Sequence, residues 1–425
     1  MISRIKNSCI FGIFALGFIP SIYLGFIYTH IIVKILILLL VITHLFDRNK
    51  SLTHRLTNKH NFVFFVLFLS QSASIIYSKY PMIFFDQYKD VFIAMIFYFI
   101  LATTKDLSNE TTQIKLLLLF MLSLSINVFL KIFLLFSPIV FFQIFSLLFH
   151  PGLLEHIQMN LQRGRIYLDT YDEAFVPFIS YLYVAYKNVR IRSSLLLLIP
   201  VIIVSIASNF RTRFIMLIFS LLGSSIILKK NIKQYVVFVL PLVIIVSFLT
   251  FLYVSHTTGN TLIDRFLLSN EIEDVNSLMS RIDKAKVAIE IGASSPVVGV
   301  GLGQMQDYLP TINSLNTTTS NPQQKTLIYD TQLPHNVFLQ MFAETGLFGL
   351  ISFILLLALF VQNDIKALRE DEVYTHTIIV SFWTLFIYSL FNPTYNFGYI
   401  LLFWSLRGLI LNAQLSPHIL RKSTR

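Results

Sequence analysis

The sequence predicts an all-α, polytopic integral membrane protein, and three observations support this fold class. Of the 425 residues, 55% are hydrophobic and only 13% are charged, whereas a soluble domain carries about 25% charged residues. The mean hydropathy is +0.70. The apolar runs are continuous and approach the ~20 residues that a transmembrane helix needs. This composition excludes an ordinary soluble enzyme, a disordered chain and a disulfide-bonded secreted domain.

Two further features of the composition limit the class of protein. The strands of a β-barrel alternate apolar and polar residues, and the apolar runs here do not. The net charge is +11, and in a membrane protein such an excess of Lys and Arg collects in cytoplasmic loops, so no nucleic-acid partner is expected. The single cysteine, Cys9, has no partner for an internal disulfide and is expected to pack within the first helix.

The apolar runs predict about twelve transmembrane helices. They lie near residues 9–28, 31–46, 61–78, 91–103, 116–136, 174–187, 194–208, 214–229, 235–255, 336–361, 376–391 and 398–411. The fourth run is short for a full crossing. The apolar stretch 139–149 fits no crossing, so we expect it to lie along the membrane interface or to form a re-entrant turn.

The positive charges predict the orientation of these helices. Loops on one side are short and basic, and they contain Arg4, Lys6, Arg48, Lys50, Arg55, Lys59, Lys187, Arg190, Arg192, Lys229, Lys230, Lys233, Arg421, Lys422 and Arg425. By the positive-inside rule this side is cytoplasmic, and both termini lie on it. No A-x-A-like cleavage site follows the first apolar run, which is therefore expected to be a retained helix and not a signal peptide.

On this topology the chain divides into three parts. Residues 1–255 hold the first nine transmembrane helices, 256–334 form a large loop on the non-cytoplasmic side, and 335–425 hold the last three helices and a cytoplasmic tail. Within the large loop, Ser280 to Ile291 predicts a helix, and the polar stretch Asn313 to Lys325 predicts a mobile segment.

Arginines on the outer side are candidate ligands of an anionic group, because charges near a bilayer are costly and usually functional. Arg211 and Arg213 begin the eighth predicted helix. Arg213 shares a helix face with Leu217, so we expect the leucine to point inward and the guanidinium to stand at the mouth. Arg281 begins the helical section of the large loop, and two guanidinium groups can clamp a pyrophosphate. The alternatives are snorkelling arginines and a solvated helix face.

His335 is the candidate proton acceptor. It follows Pro334 where the large loop re-enters the membrane, and we expect it in the first turn of the tenth helix, because proline favours a helix start. On a straight helix Gly346 and Gly349 lie about 20° and about 40° from the azimuth of His335, so a ligand or helix could approach this stripe closely. A helix N-terminus favours a neutral imidazole. The alternative is an interfacial histidine bonded to a neighbouring carbonyl.

Two weaker signals receive no function. The sequence Gly299-Val300-Gly301-Leu302-Gly303 is spaced like a phosphate loop, but no βαβ unit precedes it. Asp169, Asp172 and Glu173 could hold a divalent ion, although a polar lip before the sixth helix is the preferred interpretation. No zinc-ligand spacing, nucleophile elbow or Walker sequence is present, so no metal or cofactor is expected.

These residues resemble a known family. The run His335-Asn336-x9-Gly346-x2-Gly349 after a long loop resembles the signature of bacterial O-antigen ligases. The element Arg213-x3-Leu217 is similar to the second motif of that family, and Arg281 lies where its members carry a loop arginine. The pattern Pro296-x2-Gly299-Val300-Gly301 recurs in the wider superfamily of O-antigen ligases and polymerases.

The resemblance implies a GT-C-like membrane glycosyltransferase of the bacterial inner membrane, inverting and metal-independent, that acts in lipopolysaccharide biosynthesis. Such an enzyme takes a glycan from undecaprenyl pyrophosphate and attaches it to a sugar hydroxyl of the lipid A–core on the periplasmic face. His335 would then be the general base. Arg213 and Arg281, with Arg211 as a third, would neutralise the pyrophosphate. Asn336, Gly346, Gly349 and Leu217 would have structural roles.

Two alternatives remain. An O-antigen polymerase shares the donor and the architecture but uses a lipid-linked glycan as acceptor, and the histidine–glycine run favours the ligase. A transporter or flippase should carry ionisable groups near the bilayer midplane and show related halves. Here the charges within helices are few, Lys131 and Arg407 being the clearest, and no internal repeat or inverted pair of broken helices is visible.

Overall fold

The computed structural model describes residues 2–18, 29–46, 58–104, 107, 109–149, 151–162, 165, 166, 168, 170–185, 198–208, 210–227, 245, 271–305, 334–370, 372–392, 394 and 396–415. These residues form α1 (Ile2–Leu16), α2 (Thr29–Phe46), α3 (Asn58–Ala73), α4 (Pro81–Thr103), α5 (Glu110–Phe136), α6 (Pro138–Phe145), α7 (Pro151–Gln162), α8 (Val176–Ala185), α9 (Leu198–Ala207), α10 (Arg211–Ile227), α11 (Glu271–Ser294), α12 (Val337–Ala367), α13 (Val373–Phe391) and α14 (Phe397–Leu415). Short 3-10 turns lie at Ser74–Tyr77 and Asp172–Phe175. None of the described residues forms a strand, so the predicted all-α class is confirmed.

Three of the described helices are long and apolar enough to cross a membrane: Thr111–Phe136 within α5, α12 and α13. Shorter apolar helices coincide with other predicted runs, at Ile5–Leu16, Thr29–Leu45, Phe62–Tyr77 and Leu198–Ala207. The predicted run 235–255, except for Ile245, and the stretch Asn313 to Lys325 lie outside the described residues. The full set of twelve crossings and the side of each terminus therefore stay predictions.

Around their apolar core, the described helices also expose large apolar side chains and bury several charged ones, unlike a typical soluble protein. Leu38, Phe129 and Leu222 are 60%, 62% and 67% exposed. In contrast, Lys131 and Arg407 are 0% and 3% exposed. Such an apolar outer surface is stable where lipid takes the place of water, and it needs covering elsewhere. Together with the long apolar helices, this arrangement identifies an integral membrane protein.

Two segments differ from the predicted boundaries. The fourth helix begins at Pro81 and not near residue 91, since proline occupies its first turn and is favoured there. It has 23 residues, which removes the apparent shortness of this run. Within the stretch 139–149, residues 139–145 belong to α6, which follows α5 with only Ser137 between the two helices, and a turn follows α6. Ile139 on α6 is 72% exposed.

A core rich in phenylalanine joins the helices of the N-terminal half to α8. Phe120 on α5 packs edge-on against Phe14 on α1, with ring centroids 4.8 Å apart. It also stacks on Phe178 of α8 at 5.0 Å. Aromatic pairs in these geometries add to the stabilisation that burial alone provides. This core fixes α5 and α8, which flank the buried charges described below.

A buried ion pair joins α12 to α14. Nη1 of Arg407 donates to Oδ2 of Asp364 at 2.7 Å, and Nε1 of Trp383 on α13 donates to the same oxygen at 2.9 Å. The guanidinium of Arg407 also lies 3.8 Å from the ring centroid of Phe360. A buried charge is tolerated when it is paired in this way. Arg407 therefore connects the last three helices.

Candidate active site

His335 lies directly before α12 and not in its first turn as predicted. The helix begins at Val337, and Asn336 is its N-cap: Oδ1 of Asn336 accepts hydrogen bonds from the backbone N–H groups of Phe338 at 2.9 Å and Leu339 at 3.2 Å. Asparagine is among the preferred N-cap residues because its side chain satisfies these donors. Pro334 precedes the cap by two residues. The motif dipeptide His335-Asn336 thus consists of a site residue and the cap that orients it.

A backbone carbonyl fixes the tautomer of His335. Nδ1 of the ring lies 3.1 Å from the carbonyl oxygen of Phe391, the last residue of α13. A carbonyl oxygen only accepts, so Nδ1 carries the proton and donates it. In a neutral ring Nε2 then has a free lone pair. The predicted alternative, a histidine bonded to a neighbouring carbonyl, is therefore observed, and the role of His335 as a base stays a prediction.

The surroundings of His335 keep its ring neutral. Burial, followed by the positive charges of Arg281 and Lys284, lowers the pKa of His335 from its ordinary 6.5 to about 4, against the opposing effect of the bond to Phe391. At neutral pH the ring is consequently a proton acceptor. The predicted neutral state agrees with this, but its main causes are burial and two cations, and not the helix dipole alone.

Arg281 and Lys284 bring positive charge to the histidine from α11. Three residues apart, the two side chains share one face of the helix, and both charges act on His335. Lys284 is only 4% exposed, and burial together with Arg281 lowers its pKa from 10.5 to about 8. From the sequence, the alternative interpretation of the helix that Arg281 begins was a solvated face, and Lys284 lies on this helix. Its burial, which nothing in the local sequence indicates, makes it a third member of the site.

Arg213 lies in a buried cluster of charges, and the prediction that its guanidinium stands open at the mouth is wrong. The side chain is 3% exposed. Nη2 donates to the carbonyl oxygens of Leu168 at 3.0 Å and Thr170 at 2.8 Å, and Nη1 lies 3.6 Å from Oε1 of Glu173. Leu217 is 1% exposed and packs in the core, as predicted. Arg211, at the first position of α10, is partly buried.

Asp172 and Glu173 do not form the predicted polar lip. Both are 0% exposed. Oδ2 of Asp172 forms an ion pair with Nζ of Lys131 on α5, and Oε1 of Glu173 accepts a hydrogen bond from Oγ of Ser205 on α9 at 2.8 Å. Two cations and two carboxylates thus balance each other between α5, α9 and α10. Asp169 lies outside the described residues.

The charged cluster and His335 are joined by aromatic packing. Tyr171, which precedes the buried acids, packs edge-on against Tyr388 of α13 with ring centroids 5.0 Å apart. Tyr388 lies three residues before Phe391, the acceptor of the His335 hydrogen bond. The charges of Arg281 and Lys284 therefore act on His335, while Arg213 adjoins the end of α13 through Thr170 and Tyr171. A direct clamp by Arg213 and Arg281 stays a prediction.

Helix α12 is broken at Gly346, where φ is 63° and ψ is −165°. A straight stripe from His335 through Gly346 to Gly349 is therefore wrong. Residues 295–305, here called the strap, lie against the break. A Cβ atom on Gly346 would lie 2.4 Å from the carbonyl carbon of Val297, and one on Gly299 would lie 2.2 Å from that of Glu344. Glycine is needed at both positions because two backbones meet there.

The strap supplies the hydrogen bonds that the helix loses at its break. The N–H groups of Val300 and Gly301 donate to the carbonyls of Ala343 at 3.1 Å and Glu344 at 2.9 Å. In return, the N–H groups of Leu347 and Phe348 donate to the carbonyls of Pro296 at 2.8 Å and Val297 at 3.1 Å. Buried backbone groups must be paired in this way. Glycines with the spacing that is typical of a phosphate loop thus belong to a segment that supplies hydrogen bonds to a broken helix.

Glu344 is a second residue that the sequence analysis missed. Its side chain is 1% exposed. Oε1 accepts the N–H of Gly303 at 3.0 Å, and the backbone of Met305 and the side chain of Gln340 also bond to the carboxyl group. An acidic residue two positions before a glycine in an apolar run was the available signal.

A cavity lies beside the first turns of α12. Its walls combine aromatic and amide side chains, among them Gln71, Gln87, Gln340, Tyr399, Phe403 and Trp404. Val337, two residues after His335, also lines it. Small-molecule sites typically have mainly apolar walls with a few placed polar groups. The cavity is thus a candidate for substrate atoms next to His335.

The fold and the site together define a class of protein. It is an integral membrane protein with a neutral histidine, two cations that act on it, and a helix whose break is bonded to the strap. The model of the O-antigen ligase family matches residues 194–354, which include the three arginines, the strap and the motif from His335 to Gly349. Over these residues the chain is therefore similar to the O-antigen ligase family. No curated protein gives a significant match.

This match supports the activity at a coarse level only. It is consistent with a membrane glycosyltransferase of the O-antigen ligase or polymerase type and with lipid-linked glycans as substrates. The predicted resemblance to this family is therefore confirmed.

Proposed function

We propose that the protein is an O-antigen ligase of the bacterial inner membrane with its active site on the periplasmic face. It transfers a glycan from undecaprenyl pyrophosphate to a sugar hydroxyl of the lipid A–core. The single observation that carries this proposal is the state of His335: a ring held neutral, with its proton fixed on Nδ1 by the carbonyl of Phe391, beside two cations from α11.

His335 acts as the general base. Nε2 accepts the proton of the acceptor hydroxyl as the acceptor oxygen attacks the anomeric carbon of the donor sugar. The bond between that carbon and the diphosphate oxygen breaks, and the configuration at the carbon inverts. Because Nδ1–H remains bonded to Phe391, the ring keeps the orientation that this transfer needs.

Arg281 and Lys284 stabilise the leaving group. Negative charge develops on the diphosphate as the glycosidic bond breaks, and positioned cations in a poorly hydrated site stabilise such charge more than water does. The fork of the Arg281 guanidinium suits two phosphate oxygens, while Lys284 contributes a point charge. Arg213 needs a separate test, since its bonds to Leu168 and Thr170 give it a structural role as well, and Arg211 is proposed as a further cation.

The test is a gel of surface glycolipids from a deletion strain that carries each variant. We expect His335→Ala and Arg281→Ala to insert at normal levels and to lose glycan transfer, leaving bare core while full-length lipid-linked polymer accumulates. The matched control is Lys286→Ala, which removes a cation from the same helix at a side chain that is 62% exposed, and it should give a normal ladder. A normal ladder from His335→Ala would overturn the assignment.

The same gel distinguishes the polymerase. If the deletion strain itself shows core capped with a single repeat, the protein extends lipid-linked glycan and does not attach it to the core. The acceptor is then a second donor-like molecule, while the roles of His335 and the α11 cations remain as described. Bare core in the deletion strain supports the ligase.

A further inference from the structure

Glu344 is a buried carboxyl group held by uncharged donors. Its described partners are the N–H of Gly303, at 3.0 Å from Oε1, the backbone of Met305 and the side chain of Gln340. A carboxyl group inside an apolar helix is costly unless several hydrogen bonds compensate it. Nothing in the glycosyl transfer as proposed uses this group, so its presence requires another explanation.

On one side Glu344 holds the strap, and the strap holds α11. Gly303 and Met305 belong to the strap, which continues directly from Ser294, the last residue of α11. α11 packs along the first turns of α12 through Val287, Ala288, Ile291, Leu339 and Ala343. The position of the strap on α12 therefore determines the position of the α11 cations along α12. Those cations act on His335.

On the other side Glu344 is linked to the segment that holds the histidine. Gln340, bonded to Glu344, accepts a hydrogen bond on Oε1 from Oγ1 of Thr394 at 3.2 Å. Thr394 lies three residues after Phe391, whose carbonyl accepts the Nδ1–H of His335. One carboxyl group thus connects both segments that flank the histidine.

We propose that Glu344 is a positioning residue: through the strap and through Gln340 it fixes the cations of α11 and the end of α13 relative to His335. The proposal rests on the proposed function only for its effect on the reaction. The positions of the α11 cations and of the end of α13 relative to His335 are a property of the fold.

Loss of Glu344 should shift the strap without releasing it. The strap keeps its backbone hydrogen bonds to α12. It also keeps Gln304, whose Oε1 accepts the N–H of Tyr80 at 3.1 Å and whose Nε2 donates to Oγ of Ser78 at 2.5 Å. With the register of α11 loosened, Arg281 and Lys284 act less strongly on the ring, so the pKa of His335 rises toward its ordinary value.

The test follows the titration of His335 directly. The full-length protein in detergent is treated with diethyl pyrocarbonate, which modifies neutral imidazole, and modification of the peptide containing His335 is measured by mass spectrometry from pH 4 to 8. We expect Glu344→Ala to move the midpoint upward by about one pH unit. Glu344→Gln should move it less, because its amide oxygen still accepts one N–H but its amide nitrogen cannot accept the second.

The matched control is Asp364→Asn, which changes the other buried carboxylate described on α12, one bonded to Arg407 and Trp383. It should lower the melting temperature and leave the midpoint of His335 unchanged. An unchanged midpoint in both Glu344 variants, or an equal shift in Asp364→Asn, overturns the positioning role. Glu344→Gln keeps the shape of the side chain, so the test stands even where Glu344→Ala does not fold.

Transfer assays separate this inference from the proposed function. For Glu344→Gln we expect a lower kcat, an acid limb moved to higher pH and a KM within about twofold of wild type. If His335→Ala retains transfer while the modification midpoint still shifts in Glu344→Ala, the proposed function fails and the positioning role stands. If His335→Ala is inactive and the midpoint does not shift, only the positioning role fails.

Discussion

The cations of this protein differ in what balances their charge. Arg213 lies within a cluster with two buried carboxylates and two backbone carbonyls, whereas Arg281 and Lys284 raise the positive potential at His335. The sequence indicated that Arg213 and Arg281 matter but not how they differ. The partners of Arg213 are Leu168, Thr170 and Glu173. They are distant from it in the chain, and no local pattern predicts such pairings.

The double role of Arg213 can be separated by compensation. Arg213→Met removes the cation 3.6 Å from Oε1 of the buried Glu173 carboxylate, and removal of one partner of a buried pair typically costs about 3–5 kcal/mol. Addition of Glu173→Gln removes the uncompensated charge, so we expect the double variant to recover much of the lost melting temperature. Thermal unfolding in detergent measures this.

Glycan transfer by the same double variant shows whether Arg213 also contacts the diphosphate. Recovered stability without recovered transfer supports the predicted contact. Recovery of both means that Arg213 serves the fold alone, and Arg281 and Lys284 then carry the electrostatic role.

The pH dependence of transfer should report His335. With a pKa of about 4 the ring is neutral throughout the range from pH 6 to 8, so its protonation should limit the rate only as the pH approaches 4. Lys284→Gln removes one of the charges that lower this pKa, so the acid limb should move to higher pH while the rate falls about tenfold. Initial rates in proteoliposomes, measured from pH 8 down to pH 4, test both effects. An acid limb that stays in place would contradict the assigned charge interaction.

At the level of elements, the break in α12 and the strap form one unit. The sequence contained both glycine patterns, Pro296-x2-Gly299-Val300-Gly301 and the glycines after His335. It predicted that a helix or ligand approaches Gly346 closely, and the structure shows a close approach there by the strap instead. The sequence could not show that the two patterns meet each other, because a straight helix was assumed and the contacting segment, at Val297, is distant in the chain.

Gly346→Ala should disrupt this unit. The φ of 63° and ψ of −165° fall in a region that is essentially restricted to glycine and costs other residues about 1–3 kcal/mol. The added Cβ would also lie 2.4 Å from the backbone of Val297. We expect a clear drop in melting temperature and loss of transfer. Thermal unfolding and the glycolipid gel measure the two effects.

Gly12→Ala is the matched control for Gly346→Ala. In α1 an added Cβ would meet only the end of the Leu36 side chain at 3.0 Å, which can move, and alanine favours a helix over glycine. A melting temperature close to that of wild type is expected. An equal loss in both variants would mean that the break has no special requirement for glycine.

For the whole molecule, composition was sufficient to predict an all-α membrane protein, because burial of polar residues under an apolar outer surface follows from replacing water by lipid. Boundaries were less predictable. The start of α4 at Pro81 was missed because polar residues in its first turns ended the apolar run, and α11 extends to both sides of the predicted section from Ser280 to Ile291. Hydropathy detects lipid contact and not helix formation.

The paired charges of the interior were also beyond hydropathy. Lys131 and Arg407 appeared as isolated charges within apolar runs, and each has a carboxylate partner on another segment, Asp172 and Asp364. A run of apolar residues predicts that a helix is buried or in lipid, but the partner of a charge within it depends on how the helices pack.

The exchange of backbone hydrogen bonds between strap and helix has a consequence for any chimera built from this protein and a relative. If a transplanted loop ends before residue 295, it lacks the strap that pairs with the backbone groups at the break in α12. If α12 alone is transplanted, the strap that remains does not match it. Residues 295–305 and the helix up to Phe348 therefore have to be exchanged together, as a single cassette.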